Sequence, residues 1–251
     1  MSGQWKSAAL SALSGAVIAV AVVFGAAALG VFPPQPLDGR QVHAYLLHHP
    51  QILAEMTSRL QDQESLEEDR AEQARQAAVT KAGPNSFFNR AVAYVTGPAN
   101  AKASVVEFFD YNCVHCRNTF PVLQAFYESH KNDTRFAFVD FPIFGKDSTQ
   151  AARAAVASRR QGDKYIAFSF AMMGEKGAID TDTMLADAKA AGLDIARLTA
   201  DMKDPAVDKT IAAAHALAHQ LSVDGTPTFV VNGKIHSGEI DEETLDRMTR
   251  R

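Results

Sequence analysis

The hydrophobic and polar positions of this chain separate an N-terminal apolar run from everything that follows. Residues 8–32 are apolar or small and include no charged side chain. A run of about 18 or more such residues can cross a bilayer as a helix, and it exceeds the apolar core of a signal peptide. Residues 1–37 are therefore predicted to form a signal anchor with a proline-rich exit, although the alanines at 26–28 also offer a site for signal cleavage.

Residues 38–84 show helical periodicity with an apolar face that fades along the segment. The large apolar residues recur at helical spacing on both sides of Pro50: Val42, Leu46, Leu47, Ile52, Leu53, Met56 and Leu60. Residues 61–81 are mostly charged or polar, which is typical of a solvated stalk. The segment is predicted to be a helical arm whose apolar face packs on its own domain, on another copy of the chain or on a membrane surface. Homo-oligomerisation through residues 40–81 is one of these open alternatives.

The remaining residues, 85–251, alternate between strand and helix patterns. In chain order these are strands at 91–95, 104–110 and 135–141, helices between about 146 and 222, a strand at 228–231, an Asn232-Gly233 hairpin turn with its returning strand, and a final helix from Asp241. A helix pattern lies between the second and third strands, which implies that these two strands are parallel. The order predicts an α/β fold with an inserted helical block.

Composition narrows the chemistry that the chain can perform. The 25 basic and 29 acidic residues give a formal net charge of −4, and no basic stripe is present, so no nucleic-acid partner is expected. The chain contains only two cysteines, in Cys113-Val114-His115-Cys116. They cannot belong to a wider disulfide framework, so the pair is either a redox couple or half of a metal site.

The metal alternative requires ligands that this motif does not supply. A closed zinc site uses four protein ligands. His215 and His219 are four residues apart and provide two more candidates, but such a pair is more often part of a solvated helix face. A Cu(I) ion accepts low coordination by sulfur, so a copper-linked thiol carrier stays an alternative. We expect no resident metal, and no cofactor besides a redox-active disulfide between Cys113 and Cys116.

Two separated motifs, Cys113-Val114-His115-Cys116 and Thr226-Pro227, resemble those of the DsbA-like branch of the thioredoxin superfamily. The sequences around both motifs are similar to those of ScsC-type exported proteins, and the resemblance covers about residues 88–249. It implies a thioredoxin-like fold with an inserted helical domain. Val114 stands where the family often has proline.

The resemblance also implies a role for each site residue. Cys113 is expected to be the attacking, surface-facing thiol and Cys116 the buried thiol that resolves a mixed disulfide. Pro227 is expected to be a cis-proline that, together with Thr226, docks an extended substrate.

Elementary chemistry agrees with these roles. A cysteine at a helix N-terminus has a stabilised thiolate, and His115 is placed to add a proton or a hydrogen bond. Glu107 lies in an apolar strand, where it either reaches solvent at an edge or is buried and takes the Cys116 proton.

The predicted function is that of an extracytoplasmic thiol–disulfide oxidoreductase that forms, reduces or isomerises disulfides in exported cysteine-containing proteins. The helical arm favours isomerase over the alternative, a monomeric DsbA-type oxidase. The chain is expected to be a single-pass protein of the bacterial inner membrane with its catalytic domain in the periplasm, or a soluble periplasmic protein after signal cleavage. A membrane redox partner is also expected.

Overall fold

A computed structural model describes residues 38–250 of the chain. The predicted membrane segment and its proline-rich exit lie outside these residues. Between residues 38 and 250, no helix is both long enough and apolar enough to cross a membrane. The chain divides into two compact units, Met1–Ser65 and Leu66–Arg251.

The described part of the first unit consists of helix. Helix α1 spans Gly39–His48 and begins with a capping box, in which Asp38 accepts from the Arg40 amide and the Gln41 side chain accepts from the Asp38 amide. Helix α2 spans Gln51–Ala82 and begins directly after Pro50. The large apolar side chains of this unit are exposed: Val42, Tyr45, Leu47, Leu53, Met56 and Leu60.

A five-stranded sheet forms the centre of the second unit. Its strands are β1 (Tyr94–Thr96), β2 (Ala103–Phe109), β3 (Thr134–Asp140), β4 (Thr228–Val231) and β5 (Lys234–Ser237). Their spatial order is β1-β3-β2-β4-β5, and β2 and β3 are the parallel pair that the sequence predicted. All the other neighbouring strands are antiparallel.

The predicted first strand begins too early. Residues 91–93 form a turn, because the carbonyl of Asn89 accepts from the amides of Val92 and Ala93 and its side chain accepts from the Ala91 amide. These amides are therefore unavailable to a neighbouring strand, and β1 begins only at Tyr94.

Helices cover the sheet and connect its strands. They are α3 (Pro84–Phe87), α4 (Val114–His130), α5 (Lys146–Ser158), a 3₁₀ turn (Arg159–Gln161), α6 (Tyr165–Gly174), α7 (Thr181–Ala190), α8 (Ile195–Asp201), α9 (Pro205–Gln220) and α10 (Glu242–Thr249). Helix α4 links β2 to β3, and α5 to α9 form the predicted helical block between β3 and β4. Aspartates cap α7, α8, α9 and α10 by accepting main-chain amides.

A buried polar cluster fastens the helical block to the sheet. Asp140, the last residue of β3, lies 2.5 Å from the Arg159 guanidinium and accepts from the hydroxyls of Tyr111 and Tyr165 at 3.1 Å. Tyr111 also lies 2.8 Å from the Ser169 hydroxyl. A buried charge needs such a full set of partners.

The last turns of α2 belong to the second unit. Val79 is only 1% exposed. The side-chain amide of Gln76 donates to the Gly233 carbonyl at 2.8 Å and accepts from the Ile235 amide at 2.9 Å. Arg75 donates to the carbonyl of Ser222. These contacts fix the end of the helix against the β4–β5 hairpin and the chain that leads to Pro227.

Candidate active site

The turn between β2 and α4 is held in place by one buried carboxylate. Asp110 accepts from the amide of Asn112 at 2.7 Å, and from the amides of Ile143 and Phe144 at 2.7 and 3.0 Å. Its carbonyl accepts from the Cys113 amide. The loops that follow the two parallel strands are thereby joined directly beside the cysteine pair.

Cys113 is the N-cap of α4, as the sequence predicted. Its pKa is lowered to about 5, chiefly by the Cys116 thiol, which donates to its sulfur. Burial opposes this effect, whereas the Thr226 side chain and the main-chain N–H groups of Cys116 and His115 add to it. Cys113 therefore carries a stable thiolate near neutral pH, which is the reactive form of a cysteine. In its thiol form, its Sγ donates to the Thr226 carbonyl at 3.2 Å.

The expectation that Cys113 faces the surface is wrong. Cys113 is 1% exposed and Cys116 is 0% exposed. The chain at Thr226 lies against the Cys113 sulfur and covers it. The exposed residues of the motif are Val114 and His115. Burial, followed by the hydrogen bond to Cys113, raises the pKa of Cys116, so the two thiols differ in ionisation and not in exposure.

Glu107 is buried beneath the pair, and the alternative of an edge position in solvent is wrong. It is 3% exposed and lies in the central strand β2, with Phe138 and Phe229 as its register partners. Burial, and then the charge of Cys113, raise its pKa to about 8. Its Oε1 has no hydrogen-bond partner in the described structure. A carboxylate with this pKa can exchange a proton near neutral pH.

Pro227 follows a cis peptide bond, as the resemblance implied. It leads directly into β4, which pairs with β2, so the proline lies beside the cysteine motif. Its carbonyl accepts from the Gly238 amide at 2.9 Å. The Thr226 hydroxyl has no hydrogen-bond partner among the described residues.

The structure adds site residues that sequence reasoning missed. Arg117 donates to the Tyr111 carbonyl at 2.8 Å, to the Asn112 side chain at 3.2 Å and to the Gly177 carbonyl. Glu239 accepts from His115 at 2.7 Å. The Arg117 hydrogen bonds hold the segment before α7 against the turn that precedes Cys113. No local sequence pattern indicates either contact.

The candidate metal ligands are not brought together. Within residues 38–250, no group of three or more His, Cys, Asp or Glu side chains is placed to hold a metal ion. His215 instead packs against the Phe141 ring, with ring centroids 4.8 Å apart.

Part of this chain is similar in sequence to part of a much longer protein. NhaA, a Na⁺/H⁺ antiporter of Herminiimonas arsenicoxydans, is 27% identical over 152 residues, which cover 61% of this chain and 24% of that protein. The chain thus spans about a quarter of the length of this curated relative.

Solved structures match over more of their length. A thioredoxin-like oxidoreductase from Silicibacter pomeroyi DSS-3 is 39% identical, covers 66% of this chain and 95% of its own, and has a TM-score of 0.62. A linker-deletion mutant of Proteus mirabilis ScsC shares the fold with a TM-score of 0.65 at 21% identity, over 86% of this chain and 97% of its own. The family model of the DSBA-like thioredoxin domain matches residues 104–249, more than half of the chain. The chain therefore belongs to the DSBA-like thioredoxin domain family.

Proposed function

We propose that this protein is a thiol–disulfide oxidoreductase whose redox centre is the Cys113–Cys116 pair. The observation that carries the proposal is the opposite displacement of two pKa values within one helical turn: Cys113 is lowered to about 5, whereas Cys116 is raised. Disulfide exchange requires one cysteine that attacks as a thiolate and a second that stays protonated until the mixed disulfide is resolved. The Silicibacter pomeroyi relative, which is 39% identical, is described as an oxidoreductase.

The exchange takes two balanced steps. The Cys113 thiolate attacks one sulfur of a substrate disulfide and bonds to it, while the other substrate sulfur leaves as a thiolate. Cys116 then gives its proton to the Glu107 carboxylate and attacks the Cys113 sulfur, which releases the second substrate thiolate. The protein ends with a Cys113–Cys116 disulfide and the substrate with two thiols. The reverse sequence oxidises a dithiol substrate.

The substrate docks along Thr226 and Pro227. Cys113 is buried against this segment, so a substrate has to approach from the same side to reach its sulfur. The unpartnered Thr226 hydroxyl offers a hydrogen bond to an extended chain. An extended peptide that adds beside Pro227 brings its disulfide over Cys113, with His115 exposed next to it.

The substrates are cysteine-containing exported proteins, and the catalytic domain works in the periplasm. Disulfides persist in an oxidising compartment, and residues 8–32 supply either an anchor in the bacterial inner membrane or a cleaved signal. A membrane redox partner returns the pair to its working state after each turnover.

The arm favours isomerisation, because an isomerase gains from several active sites around one cavity. Large apolar side chains of the arm are exposed, and Leu53, Met56 and Leu60 lie on one face of α2. A second copy of the chain is the occupant that matches this face, since each copy supplies the same apolar stripe. Light scattering of residues 38–251 tests this: Leu53→Glu is expected to lower the mass to that of a monomer, whereas Ser58→Glu, which adds the same charge at a polar position, leaves it unchanged.

A second candidate is a monomeric oxidase. A Cys113 pKa of about 5 stabilises the reduced form and so makes the disulfide a stronger oxidant. This observation favours donation of the disulfide to newly exported chains.

Assays on ribonuclease separate the candidates. The full-length protein in mild detergent is expected to restore activity to scrambled ribonuclease in the presence of reduced glutathione. Cys113→Ser is expected to abolish this activity, whereas Cys116→Ser accumulates a mixed disulfide with the substrate. If the wild type only oxidises reduced ribonuclease and is monomeric, the oxidase function holds. If it does neither and binds Cu(I) tightly, the protein is a copper-linked thiol carrier.

A further inference from the structure

The loop between β5 and α10 is fixed across the first turns of α4. The Gly238 amide donates to the Pro227 carbonyl at 2.9 Å. On the other side, the buried Thr119 hydroxyl donates to the Ile240 carbonyl at 2.8 Å and accepts from the Ile240 amide at 3.1 Å. Glu239 lies between these two anchors. Its main chain is therefore held by both the cis-proline and the helix that carries the cysteines.

The Glu239 side chain reaches the cysteine motif. Its Oε1 accepts from Nδ1 of His115 at 2.7 Å and from the side-chain amide of Asn118 at 2.9 Å. Because a carboxylate can only accept hydrogen bonds, the hydrogen of the first contact is on Nδ1 of His115. The contact therefore keeps a proton on Nδ1 in both the neutral and the charged form of His115 and fixes how the imidazole is oriented.

Two titratable groups face His115 from the elements that pack around it. Glu239 approaches from the loop after β5, and Cys113 lies at the N-cap of the same helix. His236 of β5 donates from Nε2 to the main-chain carbonyl of Glu239. The pKa of His115 is raised, first by its hydrogen bond to Glu239, and further by the charges of Glu239 and Cys113.

We propose that Glu239 is a positioning residue for disulfide exchange, which holds the His115 side chain as a positively charged neighbour of the Cys113 sulfur through neutral pH. The inference rests on the proposed function of the Cys113–Cys116 pair. A positive neighbour stabilises the Cys113 thiolate whenever this sulfur attacks or leaves. Glu239 makes no bond to substrate and acts only through His115.

The test is the pH profile of Cys113 alkylation in the full-length, reduced protein in mild detergent. Iodoacetamide labels thiolates, and mass spectrometry of the Cys113 peptide reports the rate, while the raised pKa keeps Cys116 unreactive. The wild type is expected to show one inflection at about pH 5, where Cys113 ionises. A second inflection, above the ordinary pKa of histidine, marks the loss of the His115 charge.

Glu239→Gln is expected to move the second inflection down by about half a pH unit, which is about threefold in proton binding by His115. This size follows from an exposed ion pair, because His115 and Glu239 side chains are 63% and 44% exposed. Glu243→Gln is the matched control: it removes the same charge from the adjacent helix, and Glu243 makes no hydrogen bond or ion pair within the described part of the chain. This control is expected to leave both inflections in place.

His115→Ala completes the test, because it removes the group through which Glu239 acts. The second inflection is expected to disappear, and adding Glu239→Gln is expected to change nothing near neutral pH. The inference is overturned if the Glu239→Gln profile superimposes on that of the wild type, if Glu243→Gln moves it equally, or if the second inflection survives His115→Ala. A wild-type Cys113 that neither ionises below neutral pH nor forms a disulfide with Cys116 in glutathione buffers would instead refute the proposed function.

Discussion

Glu107→Gln tests whether the carboxylate beneath the cysteine pair carries a penalty for ionising. Burial, and then the Cys113 charge, raise the pKa of Glu107 from 4.5 to about 8 in the folded protein. The folded protein therefore holds this proton more tightly than the unfolded chain does. The stability that this bound proton contributes is fully present below pH 4.5 and is lost as the pH rises to about 8. Glutamine cannot ionise, so the variant lacks this loss.

The size of the effect follows from the displacement of the pKa. The interval from 4.5 to about 8 corresponds, at about 1.4 kcal/mol per pH unit, to about 5 kcal/mol of folding free energy. This is an upper bound, because relaxation and water penetration reduce the penalty of a buried charge. An unpaired glutamine amide costs about 1–3 kcal/mol, but that cost is equal at every pH. The diagnostic quantity is therefore how the stability difference between the two proteins changes with pH.

The assay is urea unfolding of residues 38–251, followed by circular dichroism at about pH 5, 6.5 and 8. Both proteins are compared in the disulfide form, in which Cys113 has neither a proton to lose nor a charge, so burial alone raises the pKa of Glu107 there. Between the lowest and highest pH, the wild type is expected to lose about 2–5 kcal/mol relative to Glu107→Gln. Glu243→Gln keeps Glu107 and changes only an exposed position, so this control is expected to lose as much stability as the wild type over the same pH range. A difference that stays constant from pH 5 to 8 would refute the buried-acid argument.

Three further predictions address the fold and the pair. Arg159→Met leaves the buried Asp140 without its charged partner and is expected to lower the free energy of unfolding by about 3–5 kcal/mol in urea titrations. Gln76→Ala leaves the Ile235 amide unpaired and is expected to cost about 1–3 kcal/mol, with faster hydrogen exchange at that amide. The thiolate absorbance of reduced protein is expected to reach half its full change at about pH 5 and to vanish in Cys113→Ser. A midpoint near the ordinary cysteine value would contradict the assigned stabilisation of the Cys113 thiolate by the Cys116 thiol and the first-turn N–H groups.

The sequence predicted best those strands and helices whose buried apolar residues form a regular pattern along the chain. Strand β2 is nearly continuous in apolar residues because it lies at the centre of the sheet, between β3 and β4. The sequence predicts too early a start for the first strand because the continuous apolar run at 91–93 also suits a turn, and the Asn89 contacts decide between the two. Asp140 has a comparable position in the sequence pattern. Like Glu107, it is an acid inside an apolar run, which indicates a buried and functional or structural carboxylate.

Contacts between distant segments leave no such repeating signal. Glu239 meets His115 across 124 positions of sequence, and Gln76 meets Ile235 across 159. Neither pair belongs to a periodic pattern, because each depends on where a loop or a helix end lies after the sheet has formed. Residues that adjust the site therefore emerged only from the structure, whereas the cysteine pair followed from its spacing, and Thr226 and Pro227 followed from the resemblance to a known family.

The corrected exposure of Cys113 changes how the two cysteines are told apart. Both are buried, so accessibility does not assign the attacking thiol. Their positions in helix α4 assign it instead. Cys113 occupies the N-cap, where the first-turn N–H groups favour its thiolate. Cys116 lies three residues later, and its thiol donates to the Cys113 sulfur. The single hydrogen bond lowers one pKa and raises the other. The asymmetry therefore comes from the burial of Cys116 together with the three-residue spacing at a helix start, and it is present although the chain at Thr226 covers the Cys113 sulfur.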